Sequence, residues 1–77
     1  MAIGAYIFVE VQHGKAKSAR ELILQLPFVK RSHIVTGPYD LVCFVEAPDL
    51  STLGESIVMK IQMIPGVIKS LTNIVVE

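Results

Sequence analysis

The chain has 77 residues, room for one small domain and no more. A folded monomer of that size buries only about 60–65% of its unfolded surface, yet 52% of these residues are hydrophobic and 18% charged. The surplus predicts that another copy of the chain covers part of the surface. Seven basic residues balance seven acidic ones, and Lys15, Lys17, Arg20, Lys30, Arg31, Lys60 and Lys69 are scattered, which argues against direct binding of nucleic acid.

Cys43 lies in an apolar run and has no second cysteine to pair with. It reads as a small buried hydrophobe in a reducing compartment, because Leu41, Val42, Phe44 and Val45 offer no base. Met1 leads into a strand-like run without a basic leader, and no apolar stretch reaches the length of a membrane span. The expectation is a soluble, cytoplasmic protein that contacts no membrane.

Residues 3–11 alternate as a strand, with Ile3, Ala5, Ile7, Val9 and Val11 on one face. Tyr6 and Phe8 share the other with Gly4 and Glu10. After a break at residues 12–15, Ala16, Ala19, Leu22, Ile23 and Leu26 recur at helical spacing until Pro27 stops the helix. Residues 28–36 form a second strand, with Val29, Arg31, His33 and Val35 expected on one face. A tight turn at Gly37–Asp40 reverses the chain into a third strand, 41–47. Gly, Pro and Asp concentrate in this turn because each supplies a backbone state that a strand residue resists.

Asp49 or Ser51 is placed to cap a second helix. Its core stripe is Leu50, Leu53, Ile57, Ile61 and Ile64, with Met59 and Met63, like Leu24 on the first helix, pointing away from the sheet. Pro65-Gly66 closes it, and residues 67–76 form a fourth strand. The order βαββαβ with right-handed crossovers gives an α+β, ferredoxin-like fold: a four-stranded antiparallel sheet with both helices on one face. The other face is left bare and apolar, suited to sheet-on-sheet packing in a dimeric α+β barrel or sandwich. The sequence shows no linker, internal repeat or low-complexity segment.

The catalytic inventory is thin. His13 and His33 lack a second ligand at metal-binding spacing, so no metal site is expected. The carboxylates are dispersed and form no acid/base pair. No serine stands in a nucleophile elbow, and no glycine-rich phosphate loop exists. What remains is the turn, whose free amides, carboxylate and aromatic ring would suit a small polar ligand at a subunit boundary, and which otherwise only reverses the chain.

Five motifs in order carry a family resemblance: Ala5-Tyr6-Ile7, Gly14-Lys15, Leu26-Pro27-Phe28-Val29, Val35-Thr36-Gly37-Pro38-Tyr39-Asp40-Leu41, and Pro65-Gly66-Val67-Ile68-Lys69-Ser70-Leu71-Thr72-Asn73-Ile74-Val75. Together they resemble the C-terminal effector domain, or RAM domain, of the leucine- and asparagine-responsive (Lrp/AsnC) regulators, from about Ala5 to Val76. Ser70 stands where the family pattern has the first of two threonines, keeping the hydroxyl and losing a methyl. The helix-turn-helix domain of full-length regulators has no counterpart in these residues.

The resemblance implies dimers that pair sheet to sheet and assemble into rings, often octamers, with Leu24, Met59 and Met63 at contacts. It also implies a free amino acid, rather than a cofactor, bound where dimers meet. In physical terms, amides of the Gly37–Asp40 turn donate to the ligand carboxylate, with Gly37 allowing close approach. Asp40 pairs with the ammonium, Tyr39 forms a wall beside Thr36 and Pro38, and Ser70 and Thr72 of a neighbouring chain add hydroxyl contacts. Three functions compete: an amino-acid-sensing module that joins full-length Lrp/AsnC regulators without binding DNA, a small monooxygenase- or isomerase-like barrel enzyme, and a purely structural oligomerisation unit. Barrel enzymes need a reactive histidine, tryptophan or acid in a cavity, and tryptophan is absent.

Overall fold

The structure is a computed structural model and describes residues 2–77. Strand β1 is Ile3–Val11, helix α1 Ala16–Leu24, β2 Val29–Ile34 and β3 Leu41–Ala47. A second helical rod, α2, covers residues 50–62 as an α turn Leu50–Thr52, a π-helical stretch Leu53–Val58 and an α-helical end Met59–Gln62. Strand β4 is Val67–Ile74. All pairs are antiparallel in the order β2-β3-β1-β4, the ferredoxin-like arrangement expected from the element order.

Alternation decides which face is filled. Ala5, Ile7, Val9 and Val11 of β1 and Leu41, Cys43, Val45 and Ala47 of β3 are buried against Ala19 and Ile23 of α1 and Leu53, Ile57 and Ile61 of α2. The opposite face carries Tyr6, Phe8, Val42, Phe44 and Leu71 with no helix over it. Tyr6 and Leu71 there are 43% and 47% exposed. Leu24, Met59 and Met63 are exposed on the helices, as their spacing predicts. Asp49 is the cap of α2: its Oδ1 accepts from Thr52 N at 2.7 Å, and these hydrogen bonds hold its carboxyl below the ordinary value.

Four details differ from the sequence expectation. A β-bulge between Val29 and Arg31 puts Val29 opposite Val45 on the helix side and Arg31 opposite Phe44 on the bare side, so they do not share a face. The connection between β2 and β3 is not a tight turn but a six-residue loop, 35–40, closed at its base by Val35 N donating to Asp40 O at 2.9 Å. Leu22 and Leu50 leave their stripes, at 40% and 60% exposed. For Leu50 the reason is the π-helical stretch, where Met59 N bonds Gly54 O five residues back; that winding shifts the phase of any stripe extrapolated at α-helical spacing.

The fourth difference is an internal repeat in the backbone. The β1-α1-β2 and β3-α2-β4 halves leave their helices through matching turns, Leu26-Pro27-Phe28-Val29 and Ile64-Pro65-Gly66-Val67. Leu26 N donates to Ile23 O at 3.0 Å and Ile64 N to Ile61 O at 3.1 Å. The residue after each proline has positive φ, 72° at Phe28 and 96° at Gly66. Its carbonyl accepts a strand-end amide: Phe28 O from Glu46 N at 3.0 Å, Gly66 O from Gln12 N at 2.7 Å. The repeat escapes sequence reading because only proline and valine are identical in the two turns.

Candidate functional site

The loop between β2 and β3 lies over the end of β1. β3 begins at Leu41, opposite Val9, and leaves β1 unpaired on that side beyond this point. Asp40 continues the pairing by other means. Its backbone N donates to Val9 O at 3.0 Å, and its Oδ2 accepts from Val11 N at 2.9 Å. A carboxylate thus substitutes for the next strand residue, and the loop is stapled to the central strand. The second carboxylate oxygen keeps its acceptor capacity.

Thr36, Gly37 and Pro38 are exposed, while Tyr39 and Asp40 are half-buried. Gly37 has φ 128°, and nothing lies within 4 Å of where a Cβ would stand. The backbone there is open to close approach. Tyr39 packs on Phe8 with ring centroids 5.8 Å apart, so its ring sits on the bare side of the sheet. Lys69 Nζ lies 5.8 Å from the Tyr39 centroid and 3.7 Å from Glu10 Oε1.

Ser70 and Thr72 share a face, as two-residue spacing requires. They pair with Val9 and Ile7, whose side chains point to the helices. Gln62 of α2 donates to Ser70 Oγ at 3.4 Å, which confirms the helix side. Within one chain, therefore, the Tyr39 ring and the two hydroxyls occupy opposite faces of the sheet. No single face of one chain presents both.

Sequence reasoning missed the Val11 amide, Lys69 and Gln62. The Val11 partnership depends on where β3 stops, which is a tertiary outcome. Lys69 carried a detectable signal, standing two residues before Leu71 on the bare face. Among the described residues no three His, Cys, Asp or Glu side chains gather as a metal site would need, and no helix is long and apolar enough to cross a membrane.

Two open depressions occur at the far end of the sheet from the loop. One, of about 440 Å³, is lined by Ala2, Phe28, Lys30, Glu46, Ala47 and Pro48. The other, of about 530 Å³, lies on the bare face between Tyr6, Phe44 and the chain end at 75–77. Neither includes the loop residues.

Comparison with known proteins places this geometry. The crystal structure of FFRP-DM1 superposes with a TM-score of 0.89 at 32% identity, covering 96% of this chain and 99% of that one. AsnC of E. coli gives 0.89 at 24% identity over 97% of this chain and 51% of its own. The transcriptional regulator NMB0573 of Neisseria meningitidis, solved as an L-Met complex, gives 0.84 at 17% identity over 97% and 50%. The last two likenesses are of fold, and this chain spans about half the length of those proteins. No curated protein matches by sequence. The Lrp/AsnC ligand binding domain pattern matches residues 4–77, and the chain belongs to that family.

Proposed function

We propose that this chain is an amino-acid-sensing, oligomer-forming regulatory module of the cytoplasm that acts on Lrp/AsnC-type regulators without gripping DNA itself. The observation that carries the reading is the Thr36–Asp40 loop. It offers open backbone at Gly37 beside a carboxylate that has one oxygen tied to Val11 and the other available. A free amino acid presents a carboxylate and an ammonium close together, and amides plus one carboxylate are the matching set.

In this reading the ligand lies where two dimers meet. The loop supplies Thr36, Gly37, Pro38, Tyr39 and Asp40, and a neighbouring chain supplies Ser70 and Thr72. Dimers form through the bare sheet face, and rings such as octamers form through Leu24, Met59 and Met63. The L-Met complex of the Neisseria regulator supports the ligand class. The module is a sensor rather than an enzyme, and its effector takes the place of any cofactor.

A thermal-shift screen against the twenty amino acids tests the reading. Stabilisation by one or a few amino acids, reduced in Thr72→Val, is the expected result. No response to any of them at millimolar concentration would leave a structural oligomerisation unit as the better description.

A further inference from the structure

The two halves of the fold treat one position differently. After each helix a residue must adopt the left-handed region, and in the second half it is Gly66. There a Cβ would stand 2.8 Å from Lys15 Cβ, because the β1–α1 connection closes over the turn. That connection has four residues, 12–15; its counterpart between β3 and α2 has two, Pro48 and Asp49. The shorter connection leaves the equivalent space in the first half open, and the 440 Å³ depression is found there.

Phe28 occupies the left-handed position beside that opening at φ 72°. A bulky side chain at such a φ is an outlier that costs about 1–2 kcal/mol. Core packing does not account for it, since Phe28 lies outside the buried core and remains 39% exposed. Its ring instead walls the depression. Two residues on, the bulge leaves Lys30 without a cross-strand partner and turns it to the same opening. Glu46 borders both this depression and the one on the bare face, and among the described residues neither Lys30 nor Glu46 makes an ion pair.

We propose that Phe28, Lys30, Glu46 and Pro48 form a second small-molecule site, distinct from the Thr36–Asp40 loop, for a zwitterion with an apolar side group, such as an apolar α-amino acid. Lys30 faces the carboxylate, Glu46 the ammonium, and Phe28 with Ala2, Ala47 and Pro48 the side group. The opposed charges on an apolar floor disfavour simple anions and simple cations alike.

Amide chemical-shift mapping of the full chain with leucine, methionine and phenylalanine tests this. The expected result is perturbation at Phe28, Lys30, Glu46 and Ala47 by at least one of them. Phe28→Gly should abolish that response while the protein still melts cooperatively, because glycine serves the same conformation in the other half. Lys30→Met and Glu46→Gln, both at exposed positions, should each weaken binding about fivefold. Shifts confined to residues 36–40 and 70–72, or shifts at Lys30 and Glu46 that survive in Phe28→Gly, would overturn the second site. Loss of the loop response alone, with shifts at Phe28 and Glu46 intact, would count against the loop reading and uphold this one.

Discussion

Asp40 Oδ2 accepts from the backbone amide of Val11 at 2.9 Å, across 29 residues of sequence. The side chain of one loop thereby finishes the hydrogen-bond ladder of the central strand. An unmatched amide here would lose a charge-assisted bond, since Val11 is buried and β3 has already ended. The same carboxylate is the proposed ammonium partner, a role that would fall to the oxygen Val11 does not use.

Asp40→Ala should therefore destabilise the protein by about 1.5–2 kcal/mol even with no ligand present. Asp40→Asn keeps an oxygen acceptor and should recover more than half of that loss. Urea denaturation at equal protein concentration reads both. Unchanged midpoints would show that the Val11 bond contributes nothing. The result also decides how ligand experiments are designed, because Asp40→Ala alters the loop before any ligand arrives.

Thr72→Val and Ser70→Ala are cleaner probes of the proposed site. Both side chains are half-buried at the edge strand, and among the described residues they make one side-chain hydrogen bond, the long Gln62–Ser70 one. Each substitution should change stability by no more than about 0.5 kcal/mol while lowering the ligand-induced shift in Tm. A full response in both variants would remove the hydroxyls from the site.

How legible this was in the sequence differs element by element. The period-2 run of β1 and the stripe Leu53, Ile57, Ile61 predict burial correctly because local periodicity and tertiary burial agree there. Reading fails where the backbone departs from ideal repeats: Val29 and Arg31 are parted by one bulge residue, and Leu50 by a π-helical stretch. The residues of the Thr36–Asp40 loop are visible from their turn chemistry. The Val11 amide is not, because it reaches the loop only through strand order and the point where β3 ends.

Cys43 is fully buried, and its Sγ lies 3.3 Å from Ser32 Oγ. Burial pushes its thiol up, with Ser32 and the charge of Arg20 opposing more weakly. The folded state therefore holds this proton more tightly than the unfolded state, and stability should fall as pH rises above the ordinary thiol value of about 8.5. Cys43→Ala should flatten that alkaline slope. In the native protein a water-soluble disulfide reagent should label Cys43 only as fast as the chain unfolds; immediate labelling would contradict the burial.

Gly54 lies within the π-helical stretch, and an added Cβ there would meet nothing within 4 Å. Gly54→Ala should stabilise the fold by about 0.5–1 kcal/mol through helix propensity and a less flexible unfolded chain. Urea unfolding tests the sign. A loss of stability would mean that the π turn depends on glycine at this position.

Leu71 probes the proposed pairing of bare sheet faces. It stands opposite Phe8 in the register, is 47% exposed, and neighbours the Phe8–Tyr39 ring pair. Within one chain a carboxylate at this position remains in water, so Leu71→Glu should leave the isolated fold nearly intact. In a sheet-to-sheet dimer the same carboxylate would be buried without a partner, a penalty of several kcal/mol that dissociates the pair. Light scattering should then report a species of half the mass or less, while the chain keeps its secondary structure by circular dichroism. Unchanged mass in Leu71→Glu would move the dimer contact elsewhere, to the exposed helix residues Met59 and Met63.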